Sequence, residues 1–304
     1  MSIANRIGFL NAALNVNVRK GKFGDYSRLK AMGLTSEELD WPTLNLSEED
    51  YAIACGYAAE QLKLASLEAA GVKFRLLGLI CDPAWAKKNP RTHCCRIDEI
   101  MDLHSTLGIE IVLMVDREPD GKPVPPADYA DLFRRTHSIV HCLAPKIPLA
   151  LGCLAYAQGG KLQWLNDVLT LLPEGILPDF VPINFHGDEM QPWIIPAVCN
   201  SVRKVFTDRG LAVPRIGIAE AFNYGLANTD RVNWPNPQSD LQQADGYLKY
   251  LVHTELLDLA WLFFAPGLQD GTMGPGQWDG GGFIDAKGQD KIVVQLVKKY
   301  LREN

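Results

Sequence analysis

Apolar runs of strand length alternate with longer amphipathic stretches from one end of the 304-residue chain to the other. A short, nearly all-apolar run suits a strand buried on both faces, and apolar residues three and four apart suit a helix laid over it. Repetition of the two predicts βα units around a parallel sheet. The pattern predicts strands near residues 6–13, 38–44, 73–81, 109–115, 147–154, 180–185, 215–221 and 259–265, the second of them weak. Helices are predicted near 26–32, 47–70, 95–107, 127–144, 161–172, 192–209, 240–257 and 290–302. Ser47, with Asp50 three residues on, opens the second helix as a capping box, and Gly71 is a natural stop.

Eight strands, each followed by a helix, predict a (β/α)8 TIM barrel, a single domain over residues 1–304. The structural alternative is an open doubly wound sheet. Against it, no Gly-rich phosphate loop follows the first strand: Gly21 and Gly24 flank a Lys-Phe pair and match neither nucleotide fingerprint. The glycine-rich stretch 271–282 is expected as a loop after the eighth strand, at the barrel mouth.

With 47% hydrophobic and 22% charged residues the chain can bury a sizeable core. A formal charge of -6 argues against a nucleic-acid partner, and no segment has the length of apolar sequence that a membrane span requires. The seven cysteines fit neither a disulfide framework nor a zinc knuckle, and Cys94 and Cys95 are adjacent. Reduced thiols in a cytoplasm are expected, or a secreted protein if a leader has been removed ahead of Met1. The histidines at 93, 104, 137, 141 and 253 lack ligand spacing, so no metal and no cofactor are expected.

Strand ends supply the site in a barrel of this kind. The fourth strand closes on Asp116-Arg117-Glu118-Pro119-Asp120, and the seventh, Ile216-Gly217-Ile218-Ala219, closes on Glu220. The other strand ends offer Trp85, Tyr156, Asn184, His186, Asp188, Glu189, Asn223, Tyr224, Gln269 and Trp278. Carboxylates, amides and tryptophans at one rim suit a sugar, whose hydroxyls take bidentate hydrogen bonds while its C–H faces stack on aromatic rings. Two carboxylates sharing a cleft suit cleavage of a glycosidic bond.

These motifs, in this order, resemble the retaining glycoside hydrolases of the large barrel superfamily whose catalytic glutamates follow strands 4 and 7, and are closest to the family thirty-nine xylosidase-like branch. Arg117-Glu118-Pro119-Asp120 stands where that group has Asn-Glu-Pro, and Ile218-Ala219-Glu220 where its nucleophile ends strand 7. Pro83-Ala84-Trp85, Pro178-Asp179-Phe180 with His186, and Trp278 with Gly280-Gly281-Gly282-Phe283 are supporting matches. The sequence departs from the pattern at Arg117, where the family's Asn holds the sugar 2-hydroxyl, at Asp188, where an aromatic is usual, and on strand 2, which shows no counterpart to the usual arginine.

The resemblance implies that Glu220 is the nucleophile and Glu118 the acid/base, with His186, Trp85, Arg117, Asn184, Tyr224 and Trp278 about a β-linked carbohydrate. Asp188 and Glu189 stand as substitute acids. Arg117 has two readings: turned into the cleft it would bind an acidic sugar such as a uronate, and turned into the barrel wall it would pair with Asp116. The wall is the favoured expectation. Two rival functions remain, a catalytically silent barrel that binds carbohydrate or a protein, and an aldolase or isomerase. The latter needs a strand-end lysine or a phosphate loop, and the predicted strands end in no lysine.

Overall fold

The computed structural model describes residues 3–11, 30–69, 72–155, 157, 162–186, 194–222, 240–264, 283, 285, 287 and 289–303. Eight strands follow one another around a closed, all-parallel barrel: β1 (Ile7–Asn11), β2 (Ser36–Asp40), β3 (Phe74–Leu79), β4 (Glu110–Val115), β5 (Leu149–Ala150), β6 (Phe180–His186), β7 (Arg215–Phe222) and β8 (Leu262–Phe264). Ile7 pairing with Leu262 brings the last strand back beside the first. The expected barrel is therefore the observed one, and the open sheet is excluded.

The helices are α1 (Glu48–Ala69), α2 (Pro83–Lys88), α3 (Pro90–Leu107), α4 (Pro126–Leu143), α5 (Gln163–Leu171), α6 (Ile194–Thr207), α7 (Asp240–Leu256) and α8 (Ile292–Glu303). Their starts and stops follow local chemistry. The Ser47 hydroxyl accepts the Asp50 amide at 3.1 Å, the anticipated capping box at the head of α1. Helix α3 opens on Pro90 and stops at Gly108, which turns left-handed at φ 66°. Along α6 the buried positions Ile195, Val198, Cys199, Val202 and Phe206 fall at helical spacing, so one face covers the barrel.

The core has two compartments. Phe74, Leu76, Val112, Met114, Ala150, Cys153, Ala219, Trp261 and Phe263 form a cluster to which no helix contributes, so it fills the barrel interior. Phe180 and Trp261 pack with their rings tilted at 41° and 4.8 Å apart near the ends where the strands begin, and the second cluster packs the outward strand faces against the helices. Alternation along β3 accordingly turns Phe74 and Leu76 inward and Arg75 outward, where its Nε donates to Glu37 at 2.7 Å with both side chains buried.

Three differences from the expectation have physical causes. Strand β2 spans 36–40 rather than 38–44 and reads Ser-Glu-Glu-Leu-Asp, wholly buried, because its carboxyl groups meet Arg75 on β3 and Arg117 beyond the end of β4. Strand β5 pairs over only two residues; beyond them the chain keeps single bridges, Cys153 with Arg117 and Leu154 with Ile183, because the Gly152 amide donates to the Tyr129 hydroxyl at 2.6 Å instead of extending the ladder. Helix α2 lies where no helix was expected, between strand 3 and the predicted helix 95–107: the Asp82 carboxylate accepts the Ala84 amide at 3.0 Å, and Pro83 occupies the first helical position. The expected strand 1 and helix 26–32 lie partly outside the described residues, and the glycine-rich loop 271–282 wholly so.

At Gly217 on β7 a Cβ would stand 2.3 Å from the indole of buried Trp261. Gly217→Val is therefore expected to lower stability by about 1–3 kcal/mol or more. Gly56→Ala, on an exposed stretch of α1 with open space around it, is expected to raise it by about 0.5–1 kcal/mol. Urea midpoints at constant slope check both.

Candidate active site

Where β4 ends the backbone turns left-handed twice, at Asp116 (φ 66°) and Glu118 (φ 48°). Such residues cost about 1 kcal/mol or more each and persist only where surrounding bonds fix them. Here the Asp116 amide donates to Leu79 at 3.0 Å, and its carboxylate takes Lys122 Nζ at 2.9 Å. The Gly121 amide donates to the Glu118 carbonyl at 3.0 Å, and the Asp120 carboxylate accepts the Ala155 amide at 2.9 Å. The loop is thus tied to β3 and to the end of β5.

The two turns send Arg117 across the barrel mouth, against the expectation that it lines the wall and pairs with Asp116. Its Nε meets Asp40 Oδ2 at 2.7 Å, its Nη2 meets Glu38 Oε1 at 2.5 Å, and its Nη1 bonds Glu220 Oε1. Asp116 is held by Lys122 instead. The reason lies in β2: Glu38 and Asp40, two residues apart, share the inward face, and Arg117 is the cation that meets both. Gly78 on β3 makes the room, since a Cβ there would come within 2.4 Å of the Asp40 carboxylate.

Electrostatics follow from this packing. Burial pushes the Glu38 carboxyl well above its usual range, against the pull of Arg117, and the nearby Glu220 and Asp40 push it further. Burial alone works against the charge on Arg117, but Asp40, Glu38 and Glu220 outweigh it and hold its pKa well above the ordinary value. Burial likewise raises the Cys153 thiol, which stays neutral beneath the guanidinium. The Asp116 carboxyl is also raised, by burial first, with Lys122 opposing.

The two glutamates are linked through Asn184. Across the β6–β7 ladder Asn184 is the partner of Glu220, just past an irregularity between Ile183 and Asn184. Its Nδ2 donates to Glu118 Oε1 at 2.7 Å. Glu220 is nearly buried and Glu118 half-buried. Carboxyl groups from β4 and β7, an amide from β6 and a guanidinium clamped from β2 therefore meet at one end of the barrel. Three convergent carboxylates here enclose a guanidinium; among the described residues no group of three or more His, Cys, Asp or Glu side chains is arranged to hold a metal ion.

Trp85 sits on α2 with its ring edge-on to His93 at 6.4 Å and under the Arg96 guanidinium at 5.3 Å. These contacts are rim packing, since Arg96 also covers Tyr51 and donates to Leu46 at 2.9 Å. Tyr224 and Trp278 lie outside the described residues, as do Asp188 and Glu189, and of His186 only its place in β6 is described. Glu38 and Asp40 are the site residues that sequence reasoning missed. The available signal was their spacing of two within a strand-length segment, which puts both on one face.

No family model matches the chain, and no curated protein does. Solved structures with the same fold include a glucosidase from Croceicoccus marinus at TM-score 0.67 and 11% identity, covering 98% of this chain and 67% of its own. A family 39 glycoside hydrolase from Bacteroides cellulosilyticus WH2 aligns at TM-score 0.64 and 15% identity, with 98% and 64% covered. A beta-galacturonidase from Eisenbergiella tayi aligns at TM-score 0.61 and 14% identity, with 99% and 51% covered. The chain thus spans between half and two thirds of these proteins, and the likeness is one of fold, the (β/α)8 barrel.

A carboxyl group with a raised folded pKa holds a proton that the unfolded chain has already released, so its contribution to stability falls as pH rises. For Glu38 the fall begins near the ordinary 4.5 and continues up to the higher folded value. Glu38→Gln, which keeps an acceptor oxygen for Arg117 and cannot ionise, is expected to flatten that decline by up to about 1.4 kcal/mol per pH unit. Urea unfolding of both proteins at stepped pH measures it; identical slopes would mean that Glu38 is ionised throughout.

Proposed function

We propose that this barrel is a retaining hydrolase of β-glycosides, with Glu220 as nucleophile and Glu118 as acid/base. The observation that carries the reading is the double tie between the two strand ends: Asn184, the ladder partner of Glu220, bonds Glu118, while Arg117, adjacent to Glu118, bonds Glu220. Two carboxyl groups so linked can serve the two faces of one sugar ring.

In the first step a Glu220 oxygen bonds to the anomeric carbon as the bond to the leaving oxygen breaks, and the Glu118 proton passes to that oxygen. In the second, water attacks the same carbon, gives its proton to Glu118, and releases the Glu220 carboxylate. Asn184 orients Glu118, and Arg117 fixes one oxygen of Glu220 so that the other faces the substrate. The fold neighbours act on different sugars, a glucosidase and a beta-galacturonidase among them, so the fold by itself leaves the sugar open.

A second reading, a barrel that binds carbohydrate without cleaving it, draws on the Arg117–Glu220 ion pair, which takes up part of the charge a nucleophile needs. Turnover separates the two. On aryl β-glycosides, Glu220→Gln is expected to lower kcat at least about a thousandfold, and Glu118→Ala by about 10²–10⁴, with azide restoring turnover in the latter. Proton NMR of the first-formed product is expected to show the β-anomer. An α-anomer would refute retention, and full activity in Glu220→Gln would refute the assignment.

A further inference from the structure

On the outside of the barrel, away from the mouth, two side chains of α4 have the geometry of a chelate. His137 and His141 are four residues apart, so one turn of the helix brings them to the same face. Their rings stack with centroids 4.3 Å apart and planes 14° from parallel. Along the sequence the two offered no ligand set, because their spacing acquires meaning only once a helix is drawn through it: positions i and i+4 are how a helix presents two imidazoles to one ion.

Both rings are accessible to an ion from solvent, His141 being exposed and His137 half-buried. His93 and His104, by contrast, are buried, and His104 Nδ1 is engaged at 2.7 Å by the Ile100 carbonyl. Burial holds the His137 ring below the usual histidine range, the charge of His141 acts the same way, and Asp179 opposes both. The ring is therefore neutral at pH 7, and a nitrogen lone pair is open to a metal in place of a proton.

The surroundings favour a cation. Asp179, which leads into β6 and accepts the Leu149 amide at 2.8 Å, lies close enough to act on His137. Helix α4 ends two residues past His141, so its carbonyl end adds negative potential there. Arg134 and Arg135, one turn back, are both bonded to Asp131, which offsets part of their charge. Two metal–nitrogen bonds of about 2.1 Å at a right angle set the nitrogens about 3 Å apart. The stacked rings reach that separation by a small rotation about χ2, a torsion with a broad minimum. Among the described residues no third side chain completes a coordination set, so water fills the other positions.

We propose that His137 and His141 chelate a divalent transition ion of the nickel, copper and zinc class, with Asp179 beside it as a water-mediated partner. The ion fastens the last two turns of α4 where the chain passes on to β5, and it is independent of the chemistry at the mouth.

Calorimetric titration of NiCl2 into the untagged full chain, with the thiols kept reduced, tests this. The expected result is a single saturable site, weakened at least about tenfold by His137→Gln and equally by His141→Gln, since either change leaves one bond of the chelate. Nickel is also expected to raise the Tm of the parent protein and to leave that of both variants unmoved. His141 is exposed, so His141→Gln keeps the test valid should His137→Gln disturb the packing of α4. Cys94 and Cys142, thiols of α3 and α4 close enough to act on one another, are the rival ligands, and the double variant Cys94→Ser with Cys142→Ser is expected to bind nickel as the parent does. Loss of binding in that variant, unchanged affinity in either histidine variant, or no saturable binding up to about 1 mM nickel overturns the proposal.

Discussion

A guanidinium withdrawn from water has to be met by carboxylates, and in this protein that requirement organises the barrel mouth. Arg117 leaves β4 and is met from β2 by Glu38 and Asp40 and from β7 by Glu220. Strands two and seven are far apart around the barrel, so one side chain ties together walls that share no ladder. Removing a partner from such a buried set costs about 3–5 kcal/mol, because the charge left behind has nothing to replace it. The candidate nucleophile is therefore held by the bonds that complete the mouth.

The left-handed turns at Asp116 and Glu118 belong to the same constraint. A regular exit from β4 would carry successive side chains to alternate faces and give Arg117 the wall position expected of it. Two residues at positive φ re-aim the chain, so that Arg117 reaches the centre and Glu118 reaches Asn184. The bonds from Lys122, Asp120 and Gly121 hold that conformation in place. Strain at this point is local, and its position beside both glutamates fits a site in which geometry has been fixed ahead of any ligand.

The barrel was legible in the sequence because its signal is redundant. Helix α6 carries five buried residues at helical spacing, and β4 is a run of apolar residues, so no single position decides either element. Strand β2 was the weak element for the opposite reason: Ser-Glu-Glu-Leu-Asp has no apolar run, and its burial depends on Arg75 and Arg117, which arrive from elsewhere in the chain. The direction of Arg117 was illegible for a related cause. It is set by two backbone angles that ordinary residues seldom adopt and by partners 77 and 79 positions away, neither of which leaves a mark on the local pattern.

The two departures from the resembled family, an arginine where asparagine is usual on strand 4 and no arginine on strand 2, prove to be parts of one arrangement. Glu38 and Asp40 on β2 and Glu220 on β7 are three carboxyl groups gathered around Arg117, which would be an unmatched buried cation without them. Each substitution alone is costly in a medium of low dielectric, and together they are mutually satisfying. A cation still sits against the residue at the end of β7, supplied from the strand that also carries Glu118. The mouth is thus closed by a cation from the β4 exit that answers carboxyl groups from β2 and β7 at once, so the end of β4 and strand β2 can change only together.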